Sequence, residues 1–138
     1  MAEKSRHVEV VPIDGGNFKL VEGSYEGDTL VFNKKHEWVH GRKMKRADKF
    51  RIFFYLDEES GYKFDRSKGE CVLSIEGQPC PYPNQANPEF EVDEVEDYRI
   101  EVINRDSDTQ DFKFSIHMLA DGQCVEWDPI MSNRNGGS

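Results

Sequence analysis

The chain has 138 residues and a mass of 16.0 kDa, the size of one domain. Charged residues make up 33% of it and the net charge is −9, which disfavours binding to nucleic acid or to anionic membranes. Nine Phe, five Tyr and two Trp supply the large apolar side chains of a folded core, which excludes a disordered chain. No stretch approaches the roughly 20 apolar residues of a membrane span, so we expect neither a membrane segment nor a signal peptide.

Alternation of apolar and polar residues with period two dominates the chain and predicts β-strands. The predicted strands, in chain order, are 8–11, 18–21, 29–32, 50–56, 71–75, 98–103, 112–118 and 124–127. Turn residues separate them, and no segment shows an apolar stripe at helical spacing. We therefore predict an all-β fold: an antiparallel β-sandwich of about eight short strands, immunoglobulin-like, with 50–56 as a central strand. Residues 1–132 would form this single domain, and 133–138 a flexible tail.

The three cysteines, Cys71, Cys80 and Cys124, are too few and too odd in number for a disulfide framework. Their spacing also does not match a metal-binding knuckle. We expect them to be small buried residues or inert thiols in a reducing compartment. The sequence therefore predicts a cytoplasmic protein.

Positive charge is concentrated at 34–51, which we call the basic segment. It holds eight basic residues and two acids, a net charge of +6, whereas 89–97 holds six acids. The basic segment is expected to face an acidic strand, within one molecule or in a second copy, or to bind an acidic protein partner. The residues expected to make that contact are Lys34, Lys35, Arg42, Lys43, Lys45 and Arg46. A nucleic-acid patch is disfavoured, because no aromatic residues are interleaved at stacking positions and the net field is negative.

Residues 36–40 read His-Glu-Trp-Val-His and match the H-E-x-x-H pattern of zinc proteases. That chemistry requires both histidines on one face of a helix. The flanking residues are basic, and no apolar helical face is present, so we interpret His36 and His40 as solvated histidines in a loop. The sequence predicts neither a metal nor a cofactor.

Near the C-terminus, Asp121-Gly122 is a preferred two-residue hairpin turn. The register that follows pairs 120 with 123, 118 with 125, 117 with 126, 116 with 127 and 115 with 128. This register places apolar residues on one face, and a slip of one residue would destroy that sidedness. The polar face then holds Lys113, Ser115, His117, Glu126 and Asp128. Lys113 would lie diagonal to Asp128.

The Asp128-Pro129 peptide bond has unusual chemistry. The Asp128 carboxyl can attack its own backbone carbonyl carbon, forming a five-membered anhydride and expelling the nitrogen of Pro129, while proline's missing N–H removes the competing imide route. Glu126 would carry protons, and Lys113 would capture the acyl group or act as a charge partner. The ordinary interpretation is a turn-starting dipeptide beside a surface ion pair.

An all-β chain with Asp-Pro about ten residues before its end resembles the small bacterial DP-EP family, named for a C-terminal Asp-Pro-Glu-Pro-type motif. The resemblance runs over the strand pattern from 8 to 127 and locally over 127–133, where Asp128, Pro129 and more weakly Asn133 match. It implies a β-sandwich and self-cleavage at the Asp-Pro bond. Ile130-Met131 stands where the family has Glu-Pro. The resemblance therefore implies the family's fold, and it implies the reaction only if the missing glutamate takes no part in it.

Two classes of function follow. The first is an autoprocessing protein, a self-cleaving aspartic-type peptidase that cuts after Asp128. The alternative is a non-enzymatic binding or assembly module in which the basic segment meets an acidic partner. The intact mass of the purified protein distinguishes the two.

Overall fold

The computed structural model describes residues 3–33, 38–39, 42–43, 49–77, 80, 90–105 and 110–134. Strands dominate these residues, which confirms the all-β prediction. In chain order they are β1 (Glu3–Ile13), β2 (Asn17–Glu22), β3 (Tyr25–Gly27), β4 (Thr29–Asn33), β5 (Trp38–Val39), β6 (Arg42–Lys43), β7 (Lys49–Tyr55), β8 (Lys63–Phe64), β9 (Leu73–Ile75), β10 (Phe90–Val95), β11 (Arg99–Asn104), β12 (Gln110–Ala120), β13 (Gln123–Trp127) and β14 (Ile130–Arg134), with short 3₁₀ segments at Asp14–Gly16 and Arg66–Val72.

Two sheets pack face to face, as the sandwich prediction required. The first sheet has the order β10-β11-β7-β1-β2-β3; the second has the order β13-β12-β14-β4, with β8 and β9 also paired to β12. Two pairings, β1 with β7 and β4 with β14, are parallel, so the two sheets of the sandwich are mixed, whereas the sequence predicted an antiparallel sandwich. The chain leaves the first sheet at β4 and returns at β7, which runs in the same direction as β1. The alternation of apolar and polar residues shows which face of a strand is buried, but it does not show whether two neighbouring strands run parallel or antiparallel.

The core lies between the sheets and is built from alternate residues of each strand. In β7 the inward positions Phe50, Ile52 and Phe54 are fully buried, and β7 lies between β11 and β1, which confirms the prediction of a central strand. Aromatic pairs join the two sheets: Phe32–Phe50 at 5.1 Å, Phe90–Phe112 at 5.0 Å and Phe54–Phe114 at 6.4 Å between ring centroids.

A charged pair lies inside this core. Arg6 of β1 and Glu22 of β2 are 2% and 5% exposed and form a two-point ion pair, with Arg6 Nε donating to Glu22 at 2.7 Å. Arg6 Nη1 donates to the backbone oxygen of Val31 at 2.6 Å, and the guanidinium lies 4.4 Å from the ring centroid of Phe32. Val31 and Phe32 belong to β4, so Arg6 links the two sheets.

A second polar link joins the sheets close to the first, because Asn104 is paired with Phe50 and Asn133 with Phe32. Asn104 of β11 and Asn133 of β14 are fully buried and exchange two side-chain hydrogen bonds, of 2.8 and 3.0 Å. The segment 133–138, predicted as a flexible tail, therefore begins inside a paired strand: Asn133 and Arg134 belong to β14. Residues 135–138 lie outside the described residues.

Cys71 and Cys80 form a disulfide, with 5.8 Å between their Cα atoms. The prediction that they are unpaired thiols was wrong: β9 and the turn after it fold the chain back, which closes a distance that spacing alone does not reveal. Cys124 is a free, exposed thiol. The expectation of a reducing, cytoplasmic setting was based on unpaired cysteines, and the disulfide removes that support. No helix in the described ranges has the length and apolar content needed to cross a membrane.

Removing one partner of the buried ion pair should strongly destabilise the fold. Arg6→Met takes the counter-charge of Arg6 away from the buried Glu22 carboxylate, and we expect a loss of about 3–5 kcal/mol in the free energy of unfolding, measured by urea titration. Adding Glu22→Met should recover most of that loss. As a control, Lys19→Met breaks only the exposed pair with Glu26 and should cost less than about 1 kcal/mol. Equal losses in Arg6→Met and Lys19→Met would contradict this.

The disulfide predicts the number of reactive thiols. Without reductant, Ellman titration of the denatured chain should find one thiol, that of Cys124, and with reductant all three. Cys80→Ser should lower the free energy of unfolding by about 2–4 kcal/mol, because the unfolded chain loses its cross-link. Three thiols in the absence of reductant would show that the disulfide does not form.

Candidate functional site

The C-terminal hairpin has the predicted register. Asp121 and Gly122 have φ values of 52° and 77°, the positive φ at both central positions that a type I′ turn requires. Ala120 pairs with Gln123, and the ladder continues to Ile116 opposite Trp127. The apolar residues of both strands therefore lie on one face of the hairpin and the polar residues on the other, as predicted.

The Asp128-Pro129 bond lies in the middle of this hairpin's second arm. Beyond it, β14 continues the same register against β12, with Lys113 opposite Ile130. Pro129 is buried, and its carbonyl oxygen accepts a hydrogen bond of 3.1 Å from the Phe114 N–H. The strand is interrupted at this point because proline has no N–H to donate. The bond thus belongs to an extended, paired strand and not to a turn.

The predicted site residues share the polar outer face of the second sheet, each beside a different partner. Asp128 is exposed, and one of its carboxylate oxygens accepts a hydrogen bond of 2.7 Å from the Ser115 hydroxyl. Lys113 is 59% exposed, and its amine lies 3.8 Å from the carboxylate of Glu76. The described contact of Lys113 is therefore with Glu76 and not with the diagonal Asp128.

Glu126, the predicted proton carrier, is also exposed and pairs with a histidine. His117 Nε2 lies 3.5 Å from the Glu126 carboxylate and 3.3 Å from the Ser74 hydroxyl. A serine, a histidine and an acid thus meet, but both partners approach the same ring nitrogen. A catalytic relay requires the acid on one nitrogen and the hydroxyl on the other. The cluster therefore does not have the geometry of a nucleophilic hydrolase.

This face gives self-cleavage little assistance. Water solvates the exposed Asp128 and Glu126, so neither carboxyl gains the burial that raises reactivity in acid–base sites. The Ser115 hydroxyl stabilises the Asp128 carboxylate as an anion and reduces its strength as a nucleophile. The proline-rich stretch 78–88 lies outside the described residues except for Cys80.

The H-E-x-x-H motif is only partly described. Trp38 and Val39 lie in β5, whereas His36, Glu37 and His40 lie outside the described residues. Within the described ranges no group of three or more His, Cys, Asp or Glu side chains could hold a metal ion.

Sequence reasoning missed an aromatic row on the outer face of the first sheet. His7 of β1 stacks on Phe53 of β7, with ring centroids 4.8 Å apart, and its Nδ1 lies 3.1 Å from the Tyr55 hydroxyl. Arg51 of the basic segment projects from the same face of β7, where Nη1 lies 2.9 Å from Asp93 and 3.4 Å from Glu101. Alternation within β7 predicts that these residues share a face, but His7 comes beside them only through the parallel pairing.

Two grooves adjoin at Tyr98, at the end of the sandwich where β10 turns into β11. The first, of about 480 Å³, is lined chiefly by Tyr55, Arg66, Glu96, Asp97, Tyr98 and Arg99. The second, of about 440 Å³, is lined by Tyr98 together with Glu58, Gly61, Tyr62, Lys63 and Asp121. No sequence signal marks these residues, because they come from segments far apart in the chain.

Charges in the first groove neutralise one another. Arg99 lies 2.5 Å from Glu96 and 3.2 Å from Glu94, and Arg66 lies 3.7 Å from Asp97. Desolvation alone would lower the pKa of Arg99, but the neighbouring carboxylates, Glu96 first, outweigh it and raise that pKa. The guanidinium therefore stays charged and bound to its carboxylates.

No family model matches the chain, and no curated protein matches it. The resemblance to the DP-EP family therefore stays a prediction from the sequence.

The exposed face predicts a stable Asp128-Pro129 bond. After prolonged incubation at neutral pH, intact-mass spectrometry should find the full-length chain, and Asp128→Ala should behave identically. Loss of the peptide that begins at Pro129, abolished by Asp128→Ala, would instead establish self-cleavage. Loss of one water, abolished by Lys113→Ala, would establish a cross-link.

Proposed function

We propose that this protein is a non-enzymatic binding module that recognises an acidic protein partner through its basic segment. The observation that carries the proposal is Arg51, the described end of that segment. Its guanidinium is placed on the outer face of the first sheet and binds the carboxylates of Asp93 and Glu101. Carboxylate recognition is therefore the chemistry already present where the segment joins the fold.

Charge arithmetic supports an external partner. The basic segment has a net charge of +6, and the rest of the chain carries −15. Arg51 is one of eight basic residues in the segment. The other seven concentrate positive charge in one stretch of a chain that is acidic elsewhere. Such a charge asymmetry accelerates association with an acidic surface and disfavours other partners.

Self-cleavage after Asp128 is the lower-ranked hypothesis. Its three proposed participants, Asp128, Glu126 and Lys113, are exposed and each lies beside a different partner. The exposed hairpin face supports a stable bond better than a reactive one. The Cys71–Cys80 disulfide, for its part, supports an oxidising compartment over the cytoplasm expected from the sequence.

A poly-glutamate peptide tests the proposed function. We expect the protein to bind it, measured by fluorescence anisotropy, with an affinity that falls steeply as ionic strength rises from about 0.05 to 0.5 M. Reversing four charges of the segment (Arg42→Glu, Lys43→Glu, Lys45→Glu and Arg46→Glu) should weaken binding by about tenfold or more.

The control is Lys63→Glu with Lys68→Glu, two exposed residues outside the segment, which should bind nearly as well as the parent. Light scattering at low salt separates the two kinds of acidic partner: a dimer that the four-charge reversal dissociates would identify a second copy. No peptide binding at low salt, or equal weakening in the control, would contradict the proposal.

A further inference from the structure

We propose that the two grooves meeting at Tyr98 form a binding site for a neutral oligosaccharide. The grooves, of about 480 and 440 Å³, are each within the size range of small-molecule sites. Tyr98 lines both grooves, so a ligand long enough to pass Tyr98 would contact both of them. A short chain of linked sugars has that length.

Tyrosines give the grooves surfaces for the apolar side of a sugar ring. Tyr55, Tyr62 and Tyr98 are all half-buried, so part of each ring remains accessible beside a hydroxyl that hydrogen-bonds. Neighbours hold two of them in place: His7 stacks on Tyr55, and Phe18 meets Tyr62 edge to face at 4.9 Å. An aromatic ring fixed in this way accepts the C–H face of a sugar with little loss of entropy.

The charged side chains suit hydroxyl groups better than ions. In the first groove the Arg66–Asp97 and Arg99–Glu96 pairs cancel, and each pair places donors beside acceptors. A sugar hydroxyl both donates and accepts, so it can bridge such a pair. Because the charges of each pair cancel, the groove offers neither an anion nor a cation a net electrostatic attraction.

Backbone hydrogen bonds hold the segment that carries Tyr98 in place. The Phe64 N–H donates to the Asp97 oxygen at 2.8 Å, and the Leu56 N–H donates to the Tyr98 oxygen at 2.9 Å. The turn from β10 to β11 is therefore attached to β8 and to the end of β7 independently. A site with a fixed backbone loses little entropy when it binds a flexible ligand.

An extended peptide fits this site less well. Peptides bind to β-sheet proteins chiefly by adding a strand at a sheet edge or by inserting apolar side chains into a groove. The first groove is lined by phenol groups and paired charges, and Leu56, which also lines it, is buried. The side chains favour a polyhydroxyl ligand.

The test titrates the full chain with four neutral hexasaccharides (cellohexaose, mannohexaose, maltohexaose and chitohexaose) up to about 5 mM, followed by NMR of the backbone amides. We expect at least one to bind with a Kd of about 1 mM or lower, and to shift the amides of 96–99 and 61–63. Tyr98→Ala should weaken that binding by about tenfold or more, while Tyr98→Phe keeps most of it.

Arg66→Ala provides a second variant in case Tyr98→Ala fails to fold, because Arg66 is 63% exposed; it should also weaken binding. Lys113→Ala, on the other sheet's outer face, and the four-charge reversal of the basic segment should bind the sugar as the parent does. The site is overturned if none of the four sugars binds, if the shifted amides lie elsewhere, or if a neutral peptide competes equally for the grooves.

Discussion

The guanidinium of Arg6 lies where water cannot solvate it, and the sandwich is arranged to satisfy it. Its carboxylate partner, Glu22, comes from the neighbouring strand, its backbone partner, Val31, comes from the opposite sheet, and the ring of Phe32 lies over its plane. An unpaired charge in this position would cost several kcal/mol. Sheets that slid past one another would lose these contacts, so the buried pair constrains the sheets' mutual placement as well as the register of β2 on β1.

Local pattern was sufficient to predict the C-terminal hairpin. The preferred turn dipeptide and the alternation of both arms specify one register, and Ile116 opposite Trp127 follows directly. The same rule explains the central strand β7, where each second residue is buried. In both cases the alternation of apolar and polar residues over a few positions is enough to predict the structure.

Contacts between distant segments escaped prediction for physical reasons. The parallel pairing of β1 with β7 depends on how the chain crosses between sheets, which alternation does not encode. Arg6 occupies an inward position of β1, but a charged residue does not count as an inward position in a hydrophobic pattern. The neutral but polar side chain of Asn133 hides an inward position of β14 in the same way. The grooves at Tyr98 are built from loops of separate strand pairs, so their side chains share no sequence spacing.

The distribution of charge among the described residues supports the proposed binding function. Among the described residues, the buried charged groups are Arg6, Glu22 and Asp65. The first two neutralise each other, and Asp65 accepts hydrogen bonds from the backbone and hydroxyl of Ser67, so all three stabilise the fold. Asp128 and Lys113, the acid and the amine predicted to take part in self-cleavage, are solvated at the surface. Burial here stabilises structure, and the surface provides paired charges and fixed aromatic rings, the chemistry by which proteins bind other molecules.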